Sequence, residues 1–523
     1  MSPVLTADAM RAADEETIRD FGIASTTLME IAGRAVAASV VDELTLLRPA
    51  AAERVCIVCG TGNNGGDGLV AARALHESGF ASTVFMAGGA DRLSPDAAYN
   101  FTLLRTLVDN GAAIDIRHGE NGTDDATIPA SAPVIVDALL GTGVRGPARS
   151  PAAAWISAMN EHRAATIAVD VPSGIDATTG RAGGVAVRAQ ATVTFGAIKT
   201  GLLLNDGPAL SGRVRVAAMG IPRHVLVKRT RDRGCGELIT REDVILPGRP
   251  ANAHKYTSGL LYALCGSVGM TGAAVLALES AMRVGAGAAR CATGARSQPV
   301  LAERFTEVVT EPLEEDGDGL VADAAAIVVL QGADRASAVL IGCGSGRSPG
   351  TVETIRRVLD ELDRPAVIDA DGLYALGEDP RPALRNSRDR WILTPHRREF
   401  ERLTGKESDW DDRIELARRF SREWNCVLVL KGLPSVIGCP DGRVLVGPSA
   451  STSLATAGAG DVLAGMIAGF LAQGLTSVDA TAAALYTGSI VTDRYERAHT
   501  PNTLLATDLL IGIPDAIRDL RLV

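Results

Sequence analysis

The sequence contains few aromatic residues and no cysteine pattern of the kind found in disulfide-rich proteins. Aromatic side chains make up 4% of the 523 residues, against 46% hydrophobic residues and 56 glycines. This composition is typical of α/β layers packed from alanine, valine and leucine and joined by tight turns. Eight cysteines in a chain of this length do not form a disulfide framework. The length also exceeds what a single hydrophobic core supports, so we expect more than one domain.

The chain also lacks clustered basic charge and long apolar runs. Its formal net charge is −10 and its arginines are scattered. Because affinity for nucleic acid comes from concentrated basic charge, we expect no nucleic-acid partner. The longest apolar stretch, residues 462–475, is short and contains glycine, which predicts a buried core helix and no membrane partner. The first residues lack the basic and apolar regions of a signal peptide, so we expect a cytoplasmic protein.

A Cys-x-x-Cys pattern, Cys56 and Cys59, invites a redox interpretation. A redox pair of this kind opens a helix, whose dipole lowers the pKa of the thiol. Here both residues lie inside a predicted strand at 54–59, where side chains three positions apart point to opposite faces. The pattern therefore predicts two buried core cysteines.

Short apolar runs alternate with helix-like segments in two series, which predicts parallel sheets with helices on both faces. After helices over residues 1–48, the first series of strands is 54–59, 82–86, 133–138, 166–170, 191–195 and 214–218. The second is 260–265, 289–292, 339–342, 366–369, 391–393 and 427–430, followed by a hairpin over 435–446. No repeat relates the two series. We therefore expect two different α/β domains, 1–225 and 236–523, joined by a linker at 226–235.

Three loops at predicted strand ends of the first domain carry glycine and polar residues. They are GTGNNGGDG at 60–68, DALLGTG at 137–143 and DVPSG at 170–174. Ligands of open α/β sheets bind outside the carboxyl ends of the strands, so these loops should converge. The glycines let backbone N–H groups at a helix N-terminus reach a diphosphate. The oxygens of Asn64, Asp137 and Ser173 would suit a potassium ion.

A second glycine-built cradle, Gly458, Ala459 and Gly460, lies directly before an apolar helix that starts near Asp461. Its N–H groups would face a transferring phosphoryl group, and Asp461 would accept the proton of the attacking hydroxyl. The alternative is an acidic residue that only balances the helix dipole. A further strand-end loop is predicted to hold nucleotide phosphate: Lys431, Gly432, Leu433, Pro434 and Ser435.

Residues 1 to about 225 resemble the epimerase domain of NAD(P)H-hydrate repair enzymes, through the three loops above and TFGAIKTGL at 194–202. The resemblance implies a Rossmann-like domain that interconverts the R and S hydrates at C6, with a potassium ion held by Asn64, Asp137 and Ser173. It implies that the hydrate is held by Asn63, Asn64, Gly65, Gly66, Asp67, Gly141, Thr142, Gly143, Val144, Arg145, Gly146, Pro147 and Asp170.

Either route of epimerisation, ring opening or loss and return of water, needs a group that moves protons at the C6 hydroxyl. Asp170 is the candidate for this catalytic role, with Lys199 as its electrostatic partner. For Lys199 an ordinary surface lysine remains an equal alternative.

Residues 236–523 resemble the ribokinase-like superfamily and, more narrowly, the ADP- or ATP-dependent NAD(P)H-hydrate dehydratases. The motifs are GSVGMTGAA at 266–274, TPHRRE at 394–399 and LATAGAGDVLAG at 454–465. The chain departs from the family pattern at Tyr256, in GCGSG at 342–346, at Ser435 and at 450–453. The resemblance implies nucleotide contacts from Lys431, Gly432, Leu433, Pro434, Ser435, Gly458, Ala459 and Gly460, with magnesium on the phosphates. It implies hydrate contacts from Ala273, Gly344, His396 and Asp461, although His396 also fits a simple loop cap.

The chemistry that follows is metabolite repair by an isomerase and a lyase in one chain. Asp461 would deprotonate the C6 hydroxyl, which attacks the terminal phosphoryl group, and the resulting C6-phosphate leaves readily. Resemblance to prokaryotic members favours ADP as donor, and we expect a homo-oligomer. The alternative is a ribokinase-like small-molecule kinase with a non-catalytic nucleotide-binding domain at its N-terminus.

Overall fold

The computed structural model describes residues 1–47, 53–118, 126–143, 145–249, 251–252, 254–317, 319–448 and 451–522. Val144 and Ala450 of the sequence predictions lie outside the described residues. The chain divides into two compact units, the first Ser2–Gly236 and the second Glu237–Val523 together with Met1. The segment 226–235, predicted as a linker, belongs to the first unit and begins within a helix, Arg223–Arg229.

The first unit contains a sheet in which every strand is parallel to its neighbours. Its strands follow the order β4-β3-β2-β5-β6-β7-β9. They are β2 (Val55–Cys59), β3 (Ser82–Met86), β4 (Ile114–His118), β5 (Val134–Ala138), β6 (Ala165–Val169), β7 (Ala191–Phe195) and β9 (Arg213–Ala217), while β1 (Ser2–Leu5) pairs with β8 (Ile198–Lys199). The helices are α1 (Ala7–Phe21), α2 (Ser25–Leu47), α3 (Asn63–Glu77), α4 (Pro95–Asp109), α5 (Ala152–Glu161), α6 (Thr200–Leu203), α7 (Gly207–Ser211) and α8 (Arg223–Arg229).

Apolar side chains cover both faces of this sheet. Cys59 packs with Leu69 in the core on one face, and Cys56 packs with Trp155 in the core on the other. Burial raises the pKa of both thiols well above its usual range. The two cysteines are therefore core residues, as predicted. The edge strand β4 was not predicted, because its polar sequence IDIRH is half exposed and carries no buried apolar run.

The second unit has a mixed sheet in the order β13-β12-β11-β16-β17-β18-β19-β20-β21-β10. Its strands are β10 (Gly236–Leu238), β11 (Leu260–Leu264), β12 (Ala288–Gly294), β13 (Val308–Leu313), β16 (Ala338–Ile341), β17 (Ala366–Ile368), β18 (Trp391–Leu393), β19 (Val427–Leu430), β20 (Val436–Gly438) and β21 (Val444–Val446), while β14 (Glu315–Asp316) pairs with β15 (Gly319–Leu320). Strands β11 to β13 and β16 to β19 run parallel. The predicted hairpin is the antiparallel pair β20 and β21.

The helices of the second unit mostly lie between its strands in the sequence, and the last three follow the final strand, β21. They are α9 (Thr271–Arg283), α10 (Gln298–Arg304), α11 (Ala322–Ala333), α12 (Pro349–Glu361), α13 (Asp371–Ala375), α14 (Arg397–Thr404), α15 (Arg413–Trp424), α16 (Ala459–Ala472), α17 (Ser477–Glu496) and α18 (Ala506–Arg521). Helix α16 is the buried core helix that its apolar sequence predicts. A Cβ on Gly465 would lie 1.9 Å from the carbonyl oxygen of Ala277, so glycine lets α16 approach α9 closely.

The predicted fold class, two α/β domains with a parallel sheet in the first, is confirmed by this arrangement. Within the described ranges, no helix combines the length and the apolar character that crossing a bilayer requires.

Candidate active sites

The first site lies where the strand order of the first unit reverses, between β2 and β5. Strand β2 leads into Gly60 and the N-terminus of α3, and Cys59 of β2 pairs with Ala138 of β5. A Cβ on Gly60 would lie 1.9 Å from the carbonyl oxygen of Leu139, so only glycine lets the two loops approach this closely. A crevice of this kind at the carboxyl ends of parallel strands is the usual ligand site of open α/β sheets.

The three predicted potassium ligands meet around the backbone of Leu140. The side-chain amide of Asn64 donates to the Leu140 carbonyl oxygen at 3.1 Å, and the Leu140 N–H donates to Ser173 Oγ at 2.8 Å. Ser173 Oγ in turn donates to Asp137 Oδ1 at 2.6 Å. Backbone N–H groups of Ser173 and Leu139 donate to the same carboxylate.

Asp137 is completely buried, and burial raises the pKa of its carboxyl to about 6 in spite of these hydrogen bonds. A cation beside a buried carboxylate favours its ionised form. Amide, hydroxyl and carboxylate oxygens are the donor set of a hard cation, so the residues present fit potassium.

Asp170 and Lys199 form a buried ion pair at the end of β6. Lys199 Nζ lies 2.5 Å from Asp170 Oδ1 and 2.8 Å from the Phe195 carbonyl oxygen. The Lys199 side chain is 1% exposed and the Asp170 side chain 14%. The hydroxyl of Thr194 also donates to Asp170, at 3.1 Å. Lys199 is therefore a buried partner of Asp170 and not a surface lysine.

A cavity of about 600 Å³ opens beside this pair. Of the residues predicted to hold the hydrate, the ones that line it are Asn63, Asn64, Asp67, Gly141, Thr142, Gly143 and Asp170, together with Lys199. Gly65 and Gly66 lie in the first turn of α3 behind the cavity wall. Arg145 is exposed and pairs with Asp8, and neither Gly146 nor Pro147 lines the cavity. Among the described residues of the run 141–147 predicted from resemblance, the cavity is thus lined by Gly141, Thr142 and Gly143.

The second site is built at the N-terminus of α16. Gly458 is the N-cap residue with φ of +88°, Ala459 begins the helix, and Asp461 lies in its first turn. A Cβ on Gly458 would lie 2.5 Å from Leu276 Cδ1, so both conformation and space require glycine. Lys431 Nζ lies 3.4 Å from where a Cβ of Gly460 would be. The lysine and the open N–H groups of the helix therefore face the same space, as an anion site requires.

Asp461 lies among buried polar groups. Cys343 Sγ and one carboxylate oxygen each of Asp369 and Asp461 lie within 4.8 Å of one another. Lys431 Nζ donates to Asp369 Oδ1 at 2.7 Å. Burial and the neighbouring Asp369 carboxylate raise the pKa of Asp461 to about 6, while the Cys343 thiol and Lys431 act in the opposite direction. The site therefore contains a carboxylate of raised basicity next to a fixed ammonium group.

A cavity of about 280 Å³ adjoins Asp461. The predicted nucleotide residues Lys431, Gly432, Leu433, Ser435, Ala459 and Gly460 line it, with Leu454, Met466, Leu485 and Leu509 among the apolar remainder. Pro434 and Gly458 do not line it. Ser453, in the segment that departs from the family pattern, donates to Glu496 at 2.5 Å. An apolar pocket with a few polar groups at one end is typical of a site for a planar base with a charged tail.

The residues predicted to hold the hydrate in the second unit are only partly brought together. A Cβ on Gly344 would lie 3.0 Å from the Cβ of Ala273, so these two are neighbours. His396 is the N-cap residue of α14, where its Nδ1 accepts the Glu399 N–H at 3.3 Å. Its side chain is half exposed. The capping role that its sequence context allows is thus present in the structure.

Sequence reasoning missed two residues at these sites, Cys343 and Asp14. Cys343 lies in the GCGSG loop at 342–346, which departs from the family pattern, and this departure was the only sequence feature that pointed to it. Asp14 lies on α1, far from every motif, and lines the first cavity. Nothing in its sequence surroundings indicates a ligand site.

Comparison with known proteins agrees with this division of the chain. Residues 261–515 match the family model described as NAD(P)H-hydrate dehydratase, and residues 25–201 match the model described as YjeF-related protein N-terminus. The two sites thus belong to an enzyme class that joins these two domains in one polypeptide.

Relatives match the chain over nearly its full length. It is 43% identical to the bifunctional NAD(P)H-hydrate repair enzyme Nnr of Salinibacter ruber, covering 98% of this chain and 95% of the relative. It is 37% identical to the enzyme of the same name from Moorella thermoacetica, covering 99% and 97%. The chain therefore belongs to the family of bifunctional NAD(P)H-hydrate repair enzymes. The prediction of an epimerase and a dehydratase, an isomerase and a lyase in one chain, is confirmed.

Among solved structures, the chain is similar to the ADP/ATP-dependent NAD(P)H-hydrate dehydratase from Bacillus subtilis, co-crystallized with ATP and Mg²⁺. The identity is 30% and the TM-score 0.47, over 55% of this chain and 99% of that chain.

Proposed function

We propose that the first unit interconverts the R and S forms of NADH and NADPH hydrated at C6, and that the second dehydrates the S form at the expense of ADP. The observation that carries the second assignment is Asp461, a carboxylate of raised basicity at a helix N-terminus beside the Lys431 ammonium. Family membership supplies the substrate class.

In the second unit Asp461 takes the proton of the C6 hydroxyl, whose oxygen attacks the terminal phosphoryl group of the nucleotide. The bond between that phosphorus and the bridging oxygen breaks, and the remainder of the nucleotide, AMP when the donor is ADP, leaves. The N–H groups at Gly458 to Gly460 and the Lys431 ammonium stabilise the negative charge that develops there. The C6–O bond then breaks with phosphate as leaving group, driven by the lone pair of the ring nitrogen. Loss of a proton from the ring restores the dihydropyridine.

Magnesium, when bound, neutralises the nucleotide phosphates during this transfer. Carboxylate oxygens of Asp369 and Asp461 lie within 4.8 Å of each other, and such oxygens fit magnesium.

In the first unit the Lys199–Asp170 pair handles the proton of the C6 hydroxyl, since Asp170 lines the cavity and Lys199 fixes its carboxylate. Potassium, when held by Asn64, Asp137 and Ser173, supplies positive charge behind the Leu139 to Thr142 loop that lines this cavity.

ADP is the proposed donor because the cavity that would hold the adenine base of the nucleotide directly adjoins α16, the helix that carries Asp461. Ala459, Gly460 and Val462, which flank Asp461, all line it. ADP has one phosphate fewer than ATP, so it needs this short distance between its adenine base and the phosphoryl group that is transferred. Steady-state rates on purified S hydrate with ADP and with ATP decide this point. We expect higher kcat/KM with ADP, and a clearly higher value with ATP would overturn the donor assignment alone.

One assay tests the function as a whole. Mixed R and S NADH hydrate is incubated with enzyme, magnesium and ADP or ATP, and the return of dihydronicotinamide absorbance is followed. Complete conversion of both epimers is expected. A small-molecule kinase would instead stop at a phosphate ester, so nucleotide consumption without returning absorbance would contradict the proposal.

The proposed setting is a cytoplasmic homo-oligomer acting only on small molecules. Light scattering on the purified chain tests the assembly, and a monomer at micromolar concentration would contradict it.

A further inference from the structure

A carboxyl group outside every sequence motif faces the first cavity. Asp14 lies on α1, between the buried Ala13 and the exposed Glu15, and lines the same cavity as Asp170 and Lys199. Its Oδ1 atom is buried and has no hydrogen-bond partner among the described residues. A buried carboxyl oxygen without a partner is costly unless a ligand or a proton satisfies it. Asp14 therefore places a carboxyl group with one unpartnered oxygen in the wall of a ligand cavity.

Charged groups surround Asp14 from several elements. Lys199 of β8 attracts its charge, while Asp170, after β6, and Glu15, on its own helix, repel it. Asp67 of α3 is buried in the same cavity wall and interacts with Asp14, Asp170 and Lys199. Asp96 of α4 also lines the cavity, repels the charge of Asp67 and accepts a hydrogen bond from Ser25. Charged groups on α1 itself have partners. Arg11 pairs with Asp8, and Glu16 pairs with Lys228 and Arg229 of α8.

One ammonium group thus faces three carboxyls, and it is in contact with only one of them. Lys199 holds Asp170 in an ion pair at 2.5 Å. Burial raises the pKa of Asp14 to about 6, although Lys199 acts to lower it. Burial also raises the pKa of Asp67 well above its usual range. Asp170 is held in an ion pair and Asp14 carries an unpartnered buried oxygen, so the two carboxyls of this cavity have different surroundings, as the two members of an acid–base pair do.

We propose that Asp14 is a further catalytic residue of the epimerase site, the acid that works opposite the Lys199–Asp170 pair. This inference depends on the proposed epimerase function. In ring opening, Asp170 takes the proton of the C6 hydroxyl, the C6–N1 bond breaks, and its electron pair stays on N1. N1 takes the proton of Asp14, leaving an aldehyde at C6. Closure on the other face returns the N1 proton to Asp14 and the Asp170 proton to the C6 oxygen, so no proton is gained or lost.

The route by water loss gives Asp14 the same role. Its proton passes to the departing hydroxyl, the C6–O bond breaks, and the ring nitrogen lone pair forms the C6=N1 bond. Water returning to the opposite face gives a proton back to Asp14. In both routes Asp14 donates a proton when the bond at C6 breaks, so it must be neutral at the beginning of the reaction.

The test is Asp14→Asn in the full chain, with Glu15→Gln, an exposed neighbour on the same helix, as matched control. Purified S NADH hydrate is incubated without nucleotide, and the R form is measured by chiral chromatography between pH 5 and 8. We expect epimerisation by Asp14→Asn to fall by about 10²-fold or more, as for loss of a general acid. Glu15→Gln should match the wild-type rate at low pH, where Asp14 is protonated in both proteins, and all three proteins should dehydrate S hydrate equally.

The pH profile separates a catalytic from a structural role. Since Asp14 acts in its protonated form, wild-type kcat/KM for epimerisation should decline as pH rises through about 6. This decline should disappear in Asp14→Asn. A rate within threefold of the wild type, or a retained decline, would overturn the proposal.

If Asp14→Asn loses its native thermal transition, Asp14→Glu serves in its place, because it keeps an acid one methylene longer. A slower rate with a shifted profile is then expected, and an unchanged rate and profile would overturn the proposal. Failure of the epimerase assignment itself is distinguishable, because the wild type would then form no R hydrate above the enzyme-free rate.

Discussion

Lys199 Nζ lies 2.5 Å from Asp170 Oδ1, and the lysine side chain is almost completely buried. Asp170 adopts φ of +65°, a conformation that non-glycine residues rarely take and that marks local strain. The second unit contains a comparable pair, Lys431 and Asp369, at 2.7 Å. Each unit thus holds an ammonium group against a carboxylate that directly follows a parallel strand, β6 in the first unit and β17 in the second.

The Lys199–Asp170 pair is expected to contribute to both stability and epimerisation. In Asp170→Asn the buried ammonium loses its counter-charge, which should lower the free energy of unfolding of the first unit by about 3 to 5 kcal/mol. Epimerisation should be lost at the same time. Urea unfolding followed by circular dichroism, with chiral analysis of the product, measures both. Asp109→Asn, at an exposed helix end, is the control. A variant as stable as this control would show that the pair is not energetically coupled.

Asp461→Asn should abolish dehydration and leave epimerisation intact, because it removes the base from the second site without changing side-chain shape. The readout is absorbance return with ADP, beside R-to-S conversion without nucleotide. Asp479→Asn provides the control, since Asp479 also lies in the first turn of a helix, α17, where it accepts a hydrogen bond from the N-cap residue Thr476. Equal loss of dehydration in both variants would favour the dipole role over the catalytic one.

Dehydration should depend on pH through Asp461. The base acts in its ionised form, so kcat/KM should fall as pH drops through about 6. The Cys343 thiol lowers the pKa of Asp461 by hydrogen bonding to its carboxylate. Cys343→Ala should therefore move the acid limb to higher pH while leaving the plateau rate similar. If the acid limb of Cys343→Ala lies at the same pH as that of the wild type, the thiol does not lower the pKa of Asp461.

Potassium should matter only for the R epimer. Asp137→Ala removes the buried carboxylate of the ion site, so it should slow repair of R hydrate and leave repair of S hydrate unchanged. Replacing potassium by tetramethylammonium should slow the wild type in the same way and have no further effect on the variant. Equal slowing of the two epimers would contradict the ion assignment.

Gly458→Ala should strongly impair dehydration. The alanine would need φ near +88°, and its Cβ would lie 2.5 Å from Leu276 Cδ1. The helix start must shift, which moves the N–H groups and Asp461 away from the transferring phosphoryl group. Gly248→Ala, where nothing lies within 4 Å of the new Cβ, is the matched control. A dehydration rate in Gly458→Ala equal to that of Gly248→Ala would show that the cradle tolerates displacement.

Local patterns in the sequence determined much of this protein. Apolar runs such as 54–59 and 427–430 contain strands β2 and β19, because fully buried strands need continuous apolar side chains. The sequence also predicted the glycine-rich turns before α3 and α16. Glycine is required there, because close backbone approach and positive φ exclude other residues. The edge strands β4 and β13 escaped prediction, since half-exposed polar strands leave no such pattern.

The tertiary structure alone decided which polar groups share a site. It placed Asp14 of α1 in one cavity with Asp170 and Lys199, and Cys343 against Asp461, and it left Arg145 on the surface. Sequence fixes the element on which a side chain lies, because helix and strand periodicities are local. Proximity between distant elements follows from how the sheet packs against its helices, and burial then sets the pKa of each carboxyl. The acid–base character of both sites is therefore a property of the folded chain.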